Sequence, residues 1–111
     1  MENWRFIKFF FIVIPFFFSA CQLAESTIKY TASGTSGTLT VNYVDVTGVS
    51  ETYTGPSPWQ LNFSAKSGAQ LSVSAGNGPN GTSTVDIYIN GTDKAHDTET
   101  GVNSTASITV P

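Results

Sequence analysis

The sequence predicts an all-β domain, a small antiparallel β-sandwich of about seven to eight short strands, and three observations carry that prediction. The first is composition. Of the 111 residues, those after Ala20 include 15 Thr, 12 Ser and 10 Gly, types that rank low in helix interiors, while Thr suits a pleated strand. The second is period: in run after run the apolar side chains recur at every second position, as a strand with one buried face requires. The third is punctuation, with Gly, Pro and Asn-Gly set at roughly even intervals between those runs.

Taken in order, alternation begins at Ile28, Tyr30 and Ala32, and the cluster Ser33 to Gly37 turns the chain. Leu39, Val41 and Tyr43 resume it. Val44 and Val46 then break parity, which predicts either a bulge near Tyr43 to Asp45 or a strand covered on both faces. Thr47-Gly48 is turn chemistry, and a weaker strand runs from Val49 to Thr54. Gly55-Pro-Ser-Pro58 cannot be a central strand, because proline brings no ladder donor, so it predicts a crossing between sheets. Trp59, Leu61 and Phe63 alternate, and their hydrophobicity makes them predicted core, with Trp59 buried between the sheets. Lys66 to Gly68 turns, Leu71, Val73 and Ala75 alternate, and Gly76 to Gly81 reads as a flexible hairpin loop. Val85, Ile87 and Ile89 form the strongest strand and complete the predicted core. Asn90-Gly91 is the dipeptide preferred in tight hairpins, so a polar strand over Asp93 to Thr98 should return antiparallel, and Ala106, Ile108 and Val110 close the domain. A closed barrel is the alternative architecture.

The first 20 residues differ sharply from the rest. Seven of the 8 Phe fall between positions 6 and 18, behind a short segment carrying Arg5 and Lys8. The apolar run Phe9 to Ala20 is too short for a helix that needs about 20 residues to cross a bilayer, and it fits a secretory signal peptide. Ser19 and Ala20 ahead of Cys21 resemble a bacterial lipoprotein box, which implies that Cys21 becomes the acylated first residue of the mature protein and attaches it to a membrane. The expected organisation is a signal peptide over 1–20, a lipidated tether over 21–27 and the sandwich over 28–111. In a host with two membranes, Gln22 after the cysteine implies delivery to the outer one. The single cysteine allows no internal disulfide, so the domain must fold on packing alone.

From about Ile28 to Val110 the chain sets out Tyr30 with the Gly-rich turn after it, Tyr43-Val-Asp45 leading to Gly48, Pro58-Trp59, Ser74-Ala75 with Asn77, and Ile87-Tyr-Ile-Asn90-Gly91. In this order and spacing the mature chain resembles the soluble domain of the mycobacterial MmpS-type transport accessory proteins and related small secreted proteins. The resemblance implies an Ig-like sandwich and an accessory role beside an envelope membrane protein such as an RND-type transporter. Mycobacterial members carry an N-terminal membrane helix where this chain has a lipoprotein box, and commonly a cysteine pair that is absent here.

Charge and motifs narrow the function classes. The residues after Ala20 hold 3 Lys against 7 Asp and Glu, so nothing basic is available to neutralise phosphates and no nucleic-acid partner is expected. Gly76 to Gly81 satisfies G-x-G-x-x-G, but a dinucleotide cradle needs a helix to open there and Thr82 to Ile89 is a β run. No G-x-S-x-G elbow is present, and the one histidine, His96, argues against a triad, so no catalytic residue and no cofactor are expected. On a regular strand, Asp93, Asp97 and Glu99 would share a face while His96 and Asp97 would not, which makes an exposed charged edge strand the expectation rather than a metal site. Tyr53 and Tyr88 fall on outer or edge faces. Together with Asp93, His96, Asp97 and Glu99 they form the candidate binding surface. Sequence reasoning thus predicts a non-catalytic envelope lipoprotein acting as an accessory or scaffold, with a glycan- or lipid-binding module as the alternative.

Overall fold

The computed structural model describes residues 25–111; the signal peptide, Cys21 and the first part of the tether lie outside the described residues. Eight antiparallel strands form two four-stranded sheets: β1 (Glu25–Gly34), β2 (Leu39–Val44), β3 (Ser50–Gly55), β4 (Trp59–Lys66), β5 (Gln70–Gly76), β6 (Thr82–Ile89), β7 (Thr92–Thr100) and β8 (Ser104–Thr109). One sheet has the order β4-β1-β6-β7 and the other β3-β2-β5-β8, so the architecture is the predicted sandwich and not a closed barrel.

The alternating residues meet where period two requires. Ile28, Tyr30, Ala32, Val85, Ile87 and Ile89 face inward from the first sheet, and Leu39, Val41, Leu71, Val73, Ala75 and Ala106 meet them from the second, all buried. Each fully buried aliphatic side chain of this size contributes roughly 1.5–3 kcal/mol against exposure, so the middle strands β1, β6, β2 and β5 hold the two layers together. Tyr30 is the largest fully buried side chain. Its hydroxyl donates to the Val44 carbonyl at 2.8 Å and accepts from the Ser72 amide at 3.2 Å, joining the sheets, and burial pushes its pKa up despite the Ser72 bond.

Several local expectations are corrected. β1 begins at Glu25, not Ile28, because Glu25, Ser26 and Thr27 pair with Lys66, Ala65 and Ser64. No bulge forms at Tyr43 to Asp45. β2 simply ends at Val44, and the Asp45 carboxylate closes the following turn by accepting from the amides of Thr47 and Val49 at 2.8 and 3.0 Å. The Gly55 to Pro58 segment does cross from one sheet to the other, with the Ser57–Pro58 bond cis. Gly76 to Gly81 is also a crossing rather than a hairpin, since β5 and β6 lie in different sheets. It is not a free loop either. Asn77 is buried at 6% exposure, its side-chain oxygen accepting from the Ser36 amide at 2.8 Å and its amide nitrogen donating to the Ser36 carbonyl. A Cβ on Gly34 would stand 2.4 Å from Asn77 Cγ, and one on Gly81 would stand 2.2 Å from its carbonyl oxygen, so glycine is needed on both sides of that clamp.

Trp59, Leu61 and Phe63 point inward but are only partly buried, packed against the core rather than within it. β4 is an edge strand, so the opposite sheet covers only part of each side chain.

Candidate functional site

The proposed binding residues separate into three places. Asn90, at φ 52°, and Gly91, at φ 83°, make the tight hairpin that returns β6 into β7. The register then slips: Tyr88 faces Asp93, but Ile87 faces Ala95, leaving Lys94 as the extra residue of a bulge. A one-residue slip reverses the face of everything after it. His96 therefore lies opposite Asp86 on the outer face, while Asp97 and Glu99 turn with Val85 and Ser83 toward the interior side of the edge. Asp93 does not share a face with Asp97 and Glu99, contrary to the parity expected of a regular strand.

The outer face of β6 and β7 accordingly gathers Tyr88, Asp93 and His96 with Asp86, a residue that sequence reasoning overlooked. His96 Nδ1 lies 2.5 Å from Asp86 Oδ1, and Thr31 donates to Asp86 Oδ2 at 3.2 Å. Desolvation works against the charge of Asp86, but hydrogen bonds from Asp93, His96 and Thr31 leave its pKa below the ordinary carboxylate value. Asp93 shifts up, through burial and then its hydrogen bond with Asp86. The hydrogen bond and charge of Asp86 raise His96 above its usual 6.5. Lys29 Nζ stands 4.7 Å from the centre of the Tyr88 ring, so the patch carries both signs of charge.

This arrangement has the chemistry of an ion pair. Ligand atoms from Asp86, Asp93 and His96, one each, lie within 4.8 Å of one another, and within that group His96 Nδ1 is engaged by Asp86. The order Asp86, His96, Thr98 has the connectivity of a proton relay, but Thr98 Oγ1 is 3.5 Å from His96 Nε2 and 3.0 Å from Thr84 Oγ1, so its hydroxyl is better satisfied by Thr84. The His96 side chain is 57% exposed on a flat strand face.

Asp97 serves a different end. Its Oδ2 accepts from the Thr105 amide of β8 at 2.9 Å, closing this edge of the sandwich. Glu99 is half-buried on the same side of β7. Tyr53 lies at the opposite edge and is not a free surface aromatic: its ring stacks on Trp59 at 5.9 Å, and its hydroxyl donates to the Pro56 carbonyl at 3.0 Å. Tyr43 also packs on Trp59, its ring centre 5.0 Å away. A cavity of about 280 Å³ beside Trp59 is bordered by Thr31, Pro58 and Gln60.

A larger cavity lies elsewhere, at the end of the sandwich where β1 starts. It measures about 600 Å³ and is bordered by Val44, Val46, Ala65, Ala69 and Leu71, and an adjoining one extends it along Glu25 and Lys66. No family model matches the chain, and no curated protein matches it.

Asp86 and Asn77 carried sequence signals that were too weak to use alone. An outward Asp in an apolar strand and an Asn between glycines are both ordinary until the register and the neighbouring turn are known.

Proposed function

We propose that this protein is an envelope lipoprotein, acylated at Cys21, whose sandwich acts as a non-catalytic accessory or scaffolding module for an envelope membrane protein such as an RND-type transporter. The observation that carries this reading is the start of β1 at Glu25, four residues after the lipoprotein-box cysteine. Such a tether spans at most about 14 Å when extended, and a rigid sandwich so held has a high effective concentration for any neighbour in the same membrane. The MmpS-type resemblance supplies the class of partner. Two acyl chains or more give stable attachment.

Two measurements test it. Metabolic labelling with a fatty-acid analogue should label the protein, and Cys21→Ser should abolish the label and leave the precursor uncleaved; label retained in that variant overturns the anchor. Crosslinking in the native envelope should then capture a membrane-protein partner.

A second reading, a glycan-binding module, is favoured by one observation: Trp59 is partly exposed beside a cavity rimmed by Thr31 and Gln60. A purified domain that binds a defined glycan and loses it in Trp59→Ala, with no partner crosslinked, would replace the accessory role with this one.

A further inference from the structure

The ends of the sandwich differ in what they offer to solvent. One end holds the start of β1, the Asp45 to Val49 turn between β2 and β3, and the turn from Lys66 to Gln70. The other holds the turns around Ser36, Asn77 and Val102, tied together by the Asn77 clamp and by the bond from the Gly101 amide to the Gly81 carbonyl. Val46 and Val49, 58% and 54% exposed, stand together at the first end, and Val102, 61% exposed, stands at the second.

We infer that the end carrying the Val46 to Val49 turn docks against the bilayer surface, with the two valines in the headgroup region and the long axis of the strands pointing away from the membrane. This rests on the lipoprotein reading and gives it an orientation. Three observations meet at the same place. The tether enters there, so an acylated Cys21 can stand no more than about 14 Å from Glu25. The turn offers two exposed isopropyl groups, with Asp45 as its one charged residue. The Asp45 carboxylate is folded back onto Thr47 and Val49, bonding the Thr47 hydroxyl at 2.6 Å as well as both amides, and these bonds hold its pKa down. Beneath the turn lies a groove bordered by Val44, Ala65, Ala69 and Leu71 together with Gln70 and Ser72, and its extension is bordered by Glu25 and Lys66.

The acyl anchor supplies the affinity, and the valines select which way the tethered body settles. The Asn77 end then stands away from the lipid by the length of β1, ten residues or about 30 Å, where a partner could reach it.

The test uses the full chain, expressed, processed and reconstituted into vesicles of phosphatidylethanolamine and phosphatidylglycerol. An environment-sensitive fluorophore is placed on a single new thiol by Val46→Cys, Val49→Cys or, as the distal control, Val102→Cys, since an acylated Cys21 has no free thiol. Intact mass on the same sample reads the acylation. Quenching by spin-labelled lipid should be roughly threefold stronger or more at positions 46 and 49 than at 102, as expected for side chains within the interface. Equal quenching at all three positions, or stronger quenching at 102, in a protein whose mass shows the acyl chains, overturns the docking while leaving the anchor standing. Shielding of position 46 from an aqueous quencher without quenching by labelled lipid would put an acyl chain of the anchor in the groove and also overturns it. A mass without acyl chains removes the lipoprotein reading and the docking with it.

Discussion

The two long edges of the sandwich solve the same problem with opposite materials. At the β3/β4 edge, rings fill the opening: Trp59 packs on both Tyr43 and Tyr53, and Phe63 meets Tyr30 edge-on at 5.1 Å. At the β7/β8 edge the side chains are small and the contacts polar. Ser83 and Ser104 are fully buried, their hydroxyls 2.9 Å apart, and Ser83 donates to the Ala75 carbonyl at 3.0 Å. Beyond them Asp97 bonds the Thr105 amide. Bulk seals one side by area, and the other closes because small residues let the strands come near enough to hydrogen-bond. The first mode is tolerant of geometry and the second is not, since a buried hydroxyl without a partner costs more than its bond contributes.

If that contrast is right, truncation should hurt the aromatic edge most. Trp59→Ala should cost about 2–3 kcal/mol, below the range of about 3–5 kcal/mol for a fully buried aromatic because the ring is only partly covered, measured by urea unfolding. The native Trp59 emission should lie between the buried and water-exposed limits and move to the red on unfolding. Next comes the serine pair. Ser83→Ala should cost about 1–2 kcal/mol by leaving the Ser104 hydroxyl without its close partner, and the double change with Ser104→Ala should cost less than the two single losses added together. Strict additivity would mean that the hydroxyls are not coupled. Asp97→Ala should cost about 1 kcal/mol, through the lost bond to Thr105. A loss there larger than that of Trp59→Ala would reverse the ranking of the two edges.

The smallest effect is on the outer face. His96 has a folded pKa above its reference value of 6.5, so its pairing with Asp86 contributes fully below that pH and is lost as pH rises through the raised value. The melting temperature should fall slightly over that window, and His96→Gln should remove the slope. At the acid end Asp86, with a lowered pKa, contributes above about 3.8 and loses its contribution as pH falls below it.

Much of the frame was legible because a strand writes its buried face into every second residue. Ile28, Tyr30, Ala32, Leu71, Val73, Val85 and Ile87 were all readable in this way, and Asn90-Gly91 marked its hairpin. Period two reports a face, however, and not a position in the sheet. Trp59, Leu61 and Phe63 have the pattern of a central strand, yet β4 stands at an edge and half of their expected cover is missing. The cluster at Asp86 was hidden for a related reason. His96 meets Asp86 only because Lys94 is left unpaired, and a bulge after a two-residue hairpin has no mark in composition. Asn77 belongs to the same class, since its value depends on a turn some forty residues earlier.

The strand order also has a consequence for how the chain reaches this state. Only β2–β3 and β6–β7 pair as neighbours in sequence; every other ladder joins distant segments, and Ile28 is matched to Phe63 on one side and Ile89 on the other. β1 is thus the first strand made and among the last to be enclosed, waiting for β4 and then β6 with its apolar face bare. Loop closure must precede reward in such a topology, which places folding in the slow range of about milliseconds to seconds for small β proteins. For a newly made chain, the interval before β6 arrives is the time when Ile28, Tyr30 and Ala32 are open to the wrong partner.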